Sequence, residues 1–371
     1  MPGLMDTILN VGLPRNDLGL DRVDSARFEE MTRELRERLG SGTSLPAAQE
    51  QLEQALELVA LSSTSETTRA FRDGRGLESV PVSVIVQAMV FGNAPGLSGT
   101  GVAFTRSPIT GGPDLFGEWL PSRQGPGLVG GTETPGPLTG LREAAPDVYE
   151  ALASQLAAIE RAEGDMQDVE FTVERGVLWV LQIRPGKRTQ LASVVIAVDM
   201  LDEGLIDQTA ARTRLAGLDA NDLAGLVQAV DLGSVVSPVL RGTPACPGMV
   251  VGLGVSTAEE VAAVTADGGN AILIRRETVP SDLPLFLQAS GVVTGVGGTT
   301  SHAAVVSREL GKPCVVGCGT DALHRVLGKQ ITVDATAGAV YEGDLTIGAR
   351  GHTDERAADY VARVREILGD N

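Results

Sequence analysis

Apolar positions along this chain switch between two spacings. Over 24–39 (DSARFEEMTRELRERL) and 45–61 they recur every three to four residues, which predicts two helices. Asp24 or Ser25 can cap the first; Leu52, Ala55, Leu56 and Val59 share a face of the second. A third helix is expected over 65–73, and residues 1–23, punctuated by Gly and Pro, read as loop. From Pro81 the side chains become β-branched, and VSVIVQAMV predicts a strand over 82–90. The segment 91–108, FGNAPGLSGTGVAFTRSP, is a glycine-rich loop leading into a strand at Gly101–Thr105. Strands near 114–120 and 127–131 and a helix near 146–163 follow. Residues 167–173 and 177–183 alternate with period two, as paired strands do.

The second half has a different rhythm. Residues 190–232 are Ala- and Leu-rich and helical, broken by Gly204, Gly217 and Gly225. Between 237 and 343 short apolar strands alternate with short helices, with strands at 249–253, 271–274, 291–294, 314–316 and 331–333. An amphipathic helix closes the chain over about 353–368. The fold class is therefore α/β (α+β). The expected division is 1–189 with a helical subdomain at 24–75, a helical linker at 190–236, an α/β domain at 237–345 and a terminal helix within 346–371.

Composition narrows the function. A net charge of −18 disfavours a nucleic-acid or anionic-membrane partner, since both need stripes of Lys and Arg. A small phosphorylated ligand needs only a local positive pocket. No apolar run reaches the roughly 20 residues of a membrane span, and no basic stretch leads into an apolar one, so a cytoplasmic protein is expected. Three cysteines make no disulfide scaffold. Cys314 and Cys318 have a C-x3-C spacing with no second pair to complete a zinc site, so they read as core or loop residues.

The richest stretch for chemistry is Gly297-Gly298-Thr299-Thr300-Ser301-His302-Ala303-Ala304-Val305-Val306. It places one of three histidines at a helix start. Unpaired N–H groups and the positive end of the helix dipole suit a phosphate there. Gly297 and Gly298 allow close backbone approach, Thr300 or Ser301 can cap the helix, and Ala303 and Ala304 leave the first turn uncrowded. Gly298, Thr300 and Ser301 are the candidate phosphate contacts. An imidazole is also a nucleophile, so His302 is the candidate phosphoryl carrier. The competing reading is an ordinary histidine at a helix end. His324 and His352 have no motif around them and read as surface residues.

The second stretch is DMQDVEFTVERGVLWVLQIRPGKRT, 165–189. A three-residue loop, Glu174-Arg175-Gly176, pairs Asp168 with Gln182 and Glu170 with Val180. Asp168, Glu170, Gln182 and Arg184 then share a face; a two-residue turn would split the carboxylates from Gln182 and Arg184. Two carboxylates two apart on a strand suit Mg²⁺, which is shared with substrate phosphates. Arg184 can bind a phosphate and Gln182 a polar ligand edge. Ordinary charges on a half-solvated sheet face would give the same pattern. The glycine-rich stretch containing Gly99, Thr100 and Gly101 can cradle phosphate oxygens or simply form a turn. It is no P-loop, because G-x4-G-K-[ST] is absent from the chain.

Residues 297–317, GGTTSHAAVVSRELGKPCVVG, resemble the phosphohistidine signature of phosphoenolpyruvate-utilising enzymes, most of all the pyruvate phosphate dikinases. MPGLMDTILNVGL, MVFGN, SGTGVAFTR, the DMQD–EFT…LQ–R–GKRT stretch and RRETVPSDL are similar to the same family. The resemblance implies a partial ATP-grasp-type domain, helical linkers and a swivelling phosphohistidine domain. It implies that His302 shuttles phosphate between a nucleotide site and a phosphoenolpyruvate/pyruvate site. It implies that Asp168 and Glu170 hold Mg²⁺, and that Gln182, Arg184, Gly99, Thr100 and Gly101 bind ATP or another nucleotide. Arg275 or Arg276 can neutralise phosphate.

The resemblance spans nearly the whole chain but only the middle of the family. The early lysine-bearing part of the nucleotide domain and the C-terminal phosphoenolpyruvate/pyruvate barrel have no counterpart here. Thr299 stands where the family commonly has Met, Val296 where it has Arg, and Gly130–Pro135 where it has an arginine-bearing stretch. The expectation is a phosphotransferase component whose nucleotide and acceptor sites are completed by a partner protein. The alternative is a non-catalytic binding or regulatory subunit.

Overall fold

The computed structural model describes residues 7–13, 25–65, 68, 69, 72, 83–125, 134–218, 228–231, 237–345, 350–353 and 355–369. The chain divides into two compact units, the first made of Met1–Gly99, Pro121–Arg123 and Val173–Val177, the second of the remainder.

In the first unit, α1 (Ser25–Leu39) and α2 (Ala48–Ser62) are the two helices read from the sequence. Phe28, Met31 and Leu35 of α1 pack with Leu13, Leu45, Phe91 and Ala94. The buried residues of α2 are Gln51 and Ala55; of the expected apolar face, only Ala55 is fully covered, while Leu52, Leu56 and Val59 are half-buried. Gln51 faces inward because its amide is satisfied. It donates to the carbonyls of Leu13 (2.8 Å) and Pro46 (2.9 Å) and accepts the Gly12 N–H (2.8 Å). The helix expected at 65–73 lies largely outside the described residues, as does the strand expected at 127–131.

The strand expected over 82–90 does not form among the described residues 83–90. Val84, Ile85 and Val86 are exposed, Ile85 by 85%. A β-branched run becomes a strand only where another strand completes its hydrogen bonds, and among the described residues none pairs with it.

Most residues of a five-stranded sheet, in the order β3-β2-β1-β4-β5, belong to the second unit. Its strands are β1 (Gly99–Phe104), β2 (Phe116–Pro121), β3 (Gly136–Pro137), β4 (Gln167–Glu174) and β5 (Val177–Pro185). Two helices precede β4: α3 (Thr139–Ala144), which the pattern had not suggested, and α4 (Pro146–Glu163). Leu152 and Leu156 of α4 and Val169, Phe171 and Val173 of β4 are fully buried. Burying each such side chain stabilises by about 1.5–3 kcal/mol.

The linker region gives α5 (Gln190–Asp202) and α6 (Gln208–Leu215). Residues 228–231, expected to be helical, instead form strand β6 (Gln228–Asp231) against a late strand at 350–353. The terminal helix (Glu355–Leu368) packs Val361, Val364 and Ile367 onto Val194, Ala197, Val198, Ala211 and Leu215 of α5 and α6.

Residues 240–342 build an eight-stranded sheet, with four central parallel strands: β9 (Met249–Val255), β10 (Ala271–Arg275), β11 (Gly291–Thr294) and β12 (Cys314–Val316). All four were legible as apolar runs. Of the antiparallel flanks, β13 (Gln330–Asp334) matches the strand expected at 331–333, while β7 (Leu240–Arg241), β8 (Thr243–Cys246) and β14 (Ala339–Glu342) enlarge the expected set. Helices α7 (Ala258–Ala266), α8 (Leu283–Gln288) and α9 (His302–Leu310) connect the parallel strands. The fold is thus α/β, as expected. His302 is the first residue of α9, just beyond the carboxyl end of β11, where open α/β sheets place their ligands.

Candidate functional site

The turn into α9 is built around an anion. Gly297 adopts φ 99°, which favours glycine. The carboxylate of Glu118, from β2, accepts the N–H groups of Thr299 (2.5 Å) and Thr300 (3.0 Å) and the Thr300 hydroxyl (2.5 Å). A Cβ at Gly298 would lie 2.1 Å from Glu118 Oε1, so only glycine admits this approach. Three donors at a helix N-terminus form a seat for a negative group, and Glu118 fills it. Ser301 occupies the N-cap position but does not cap; its hydroxyl donates to the Gly298 carbonyl (2.7 Å). The two hydroxyls expected to meet phosphate are therefore both engaged.

Burial lowers the His302 pKa, partly opposed by the charge of Asp282, so the imidazole is neutral at neutral pH. The Phe286 ring lies edge-on to it at 6.1 Å. Nε2 is buried without a hydrogen-bond partner. His302 lines a small recess with Glu277, Thr278, Thr294, Val296 and Ser301. Arg275 and Arg276 are held by carboxylates of their own domain: Arg275 by Asp282 (3.1 Å) and Arg276 by Glu277 (3.1 Å). His324, exposed as expected, lies in the 3-10 turn Thr320–Arg325.

On the hairpin the expected loop is corrected. The strands end at Glu174 and restart at Val177, leaving a two-residue turn in which Arg175 (φ 52°) and Gly176 (φ 80°) are both left-handed. This is the tight turn that matches the twist of paired strands. It does not separate the charged set. Arg184 reaches both Asp168 (3.2 Å) and Glu170 (2.7 Å). The simple parity argument fails because the alternation of burial along β5 breaks: Val180 and Leu181 are both half-buried, and Gln182 and Ile183 are both exposed. Burial raises the Asp168 and Glu170 pKa values, opposed in each case by Arg184. Asp168 Oδ1 is buried and unpartnered. Two hard carboxylates with an unpartnered oxygen fit a divalent cation that takes its remaining ligands from substrate phosphates.

Gly99, Thr100 and Gly101 belong to β1 itself rather than to the preceding loop. Thr100 donates its hydroxyl to the Phe171 carbonyl (3.3 Å), and a Cβ at Gly101 would meet the Phe171 ring at 2.3 Å. These residues pack the sheet.

Arg308 connects the two stretches. It lies on α9, is 2% exposed, and runs back toward the helix start. Its Nη1 donates to the carbonyls of Thr299 (2.8 Å) and Ala245 (3.2 Å), and its Nε to that of Lys187 (3.2 Å). Asp168 and Glu118 both act on it electrostatically. Beside it Lys187 pairs with Glu309 (3.1 Å). The His302 turn and the segment after β5 are thereby held together. Sequence reasoning missed Glu118, Arg308 and Thr278. The signal for Glu118 was an acid flanked by Phe116, Trp119 and Leu120 in a short strand. For Arg308 it was a cation four residues after Ala304, on the apolar side of the helix.

Two families of domain match the chain. Residues 1–139 and 145–205 match the pyruvate phosphate dikinase AMP/ATP-binding domain, and residues 250–338 match the mobile domain of PEP-utilising enzymes. The chain belongs to the pyruvate phosphate dikinase family of PEP-utilising enzymes. It is 36% identical to pyruvate, phosphate dikinase 1 of Arabidopsis thaliana chloroplasts over 402 residues, covering 94% of this chain and 40% of the plant protein. Against the pyruvate, phosphate dikinase of Rhizobium meliloti it is 35% identical, covering 93% of this chain and 47% of that protein. Against that of Clostridium symbiosum it is 40% identical over 281 residues, 71% of this chain and 32% of that protein. The chain thus spans less than half the length of these relatives. Among the described residues no helix is long and apolar enough to cross a membrane.

Proposed function

We propose that this chain is a phosphocarrier component of a dikinase-type phosphotransferase. A nucleotide such as ATP binds at the hairpin face of Asp168, Glu170, Gln182 and Arg184. His302 takes a phosphoryl group from it and passes the group to an acceptor, such as pyruvate, held on a partner protein. The observation that carries this reading is the buried, unpartnered imidazole nitrogen of His302 at the first residue of α9.

Asp168 and Glu170 would hold Mg²⁺, which neutralises phosphate charge when bound. Phosphoryl transfer rests mainly on positioning and charge neutralisation. Arg184 is poised to exchange its carboxylates for a phosphate. The neutral imidazole supplies a lone pair without first losing a proton to solvent. Arg308 keeps the histidine turn against the chain that leaves the hairpin.

The test is phosphoryl labelling of the purified protein. Mg²⁺ with β- or γ-labelled ATP, and separately labelled phosphoenolpyruvate, are offered to the wild type and to His302→Ala. Acid-labile, base-stable label that disappears in His302→Ala is expected. No label from either donor, even with the products of neighbouring genes added, would sink the carrier reading and leave a binding or regulatory subunit.

A further inference from the structure

Five hydroxyls surround His302 closely in sequence or in space, and three are already committed. Thr300 donates to Glu118, Ser301 to the Gly298 carbonyl (2.7 Å), and Thr294 to the Val296 carbonyl (2.8 Å). The other two, those of Thr299 and Thr278, have no partner, and of these only Thr278 lines the recess of His302. The Thr278 side chain is 95% buried. His302 Nε2 is the other buried polar atom of that recess left without a partner, together with Glu277 Oε2. An unsatisfied buried hydroxyl costs about 1–3 kcal/mol. Such a group is satisfied in solution by an ordered water or by a ligand.

We propose that Thr278 is a phosphoryl-contacting residue: its hydroxyl donates to an oxygen of the phosphoryl group carried on His302 Nε2. This rests on the reading that His302 is phosphorylated, though not on the nucleotide site. The bond made is P–Nε2, from the ring lone pair. The bond broken is the one between phosphorus and the donor's leaving group, which keeps its electron pair. The ring proton stays on Nδ1, and Thr278 keeps its own proton throughout. Thr278 sits on the segment between β10 and α8, in the same domain as His302. The contact therefore travels with the phosphohistidine wherever the domain goes, unlike Glu118, which belongs to the other sheet. Glu277 faces the same recess with an unpartnered carboxylate oxygen. Its like charge works against the phosphoryl group, which makes a compensating donor at Thr278 more consequential.

The experiment uses phosphoramidate, a small donor that phosphorylates imidazole directly and bypasses any nucleotide site. Wild type, Thr278→Val and Thr278→Ser are phosphorylated, and the phosphohistidine is followed by ³¹P NMR and by its half-life after the donor is removed. His302→Ala marks the background. The expected result is a shifted ³¹P resonance and a phosphohistidine lifetime changed by about tenfold in Thr278→Val, the scale of one hydrogen bond to a charged group, with Thr278→Ser close to wild type. Should Thr278→Val fail to fold by circular dichroism, Thr278→Ala carries the same comparison. An unchanged resonance and half-life overturn the proposal. So does a wild type that phosphoramidate cannot label at His302, since the recess would then admit no phosphoryl group. Failure of ATP or phosphoenolpyruvate to label a protein that phosphoramidate does label would count against the nucleotide reading alone.

Discussion

Glu118 and Thr300 stand 182 residues apart in the chain and meet through two hydrogen bonds, N–H to carboxylate at 3.0 Å and hydroxyl to carboxylate at 2.5 Å. The carboxylate lies where the start of α9 offers its donors, so it acts as an internal anion for the histidine turn. In Glu118→Gln the negative charge is lost and one acceptor becomes a donor. Each hydrogen bond to a charged group is worth about 1.5–3 kcal/mol. Hydrogen exchange at the Thr299 and Thr300 amides should speed up by about tenfold or more, while exchange in β11 stays as in the wild type. Unchanged protection of both amides would show that the carboxylate does not hold the turn in solution.

Arg308 should be costly to remove. It bonds carbonyls of Thr299, Ala245 and Lys187 from within the core, and its Nη2 has no partner. Arg308→Met leaves those carbonyls short of donors, and a loss of about 3 kcal/mol in unfolding free energy is expected. Arg308→Lys, which has no fork to span three carbonyls, should recover only part of it. Urea denaturation measures both.

The carboxylate pair should respond to a divalent cation. If Mg²⁺ binds at Asp168 and Glu170, thermal stability rises with its concentration, by about 2.7 kcal/mol at a hundred times the dissociation constant. Asp168→Asn combined with Glu170→Gln should abolish that rise. A cation-induced shift of equal size in the double variant would locate the binding elsewhere.

The His302 ring gives a signed pH effect. Burial lowers its folded pKa below the unfolded value of about 6.5. Between the two values the unfolded chain binds a proton that the folded one does not. This contribution is therefore complete above about pH 6.5 and lost as pH falls toward the folded pKa. Subtracting the stability–pH curve of His302→Gln from that of the wild type should leave a positive slope in that window. A flat difference would show the ring to be unperturbed.

Cys246, Cys314 and Cys318 are free and buried, and burial pushes their thiols up to about 11, 12 and 12. The thiolate is the reactive form. Folded protein at pH 8 should resist iodoacetamide at all three positions, and all three should be alkylated in denaturant. Tandem mass spectrometry of the tryptic peptides reads each site, with fragmentation separating Cys314 from Cys318 in the one peptide they share.

Local pattern carried much of this molecule. The parallel strands of the second half were visible as apolar runs, because strands buried on both faces need no alternation. The helices α1, α2 and α4 followed from their period, and His302 was placed at a helix start by the Gly-Gly and hydroxyl residues before it. Asp168, Glu170 and Arg184 were gathered correctly although the turn joining their strands was misread. The ionic contacts needed only the side chains to reach one another, whereas the parity argument needed an unbroken pleat.

What local pattern could not supply were the pairings between distant segments. The run at 83–90 has every local feature of a strand, yet a strand exists only with a neighbour, and Val84, Ile85 and Val86 stay exposed. Residues 228–231 became a strand because 350–353 lies alongside. Ser301 and Thr300 were the expected phosphate contacts, but the Gly298 carbonyl and Glu118 engage their hydroxyls first, while Thr278 brings an unpartnered hydroxyl to the His302 recess. The amino-acid sequence by itself determined the chemistry at hand: a histidine at a helix N-terminus and two carboxylates near an arginine. The tertiary structure alone decided which donors and acceptors are spent and which remain, because a buried polar group takes whichever partner the fold brings within about 3 Å.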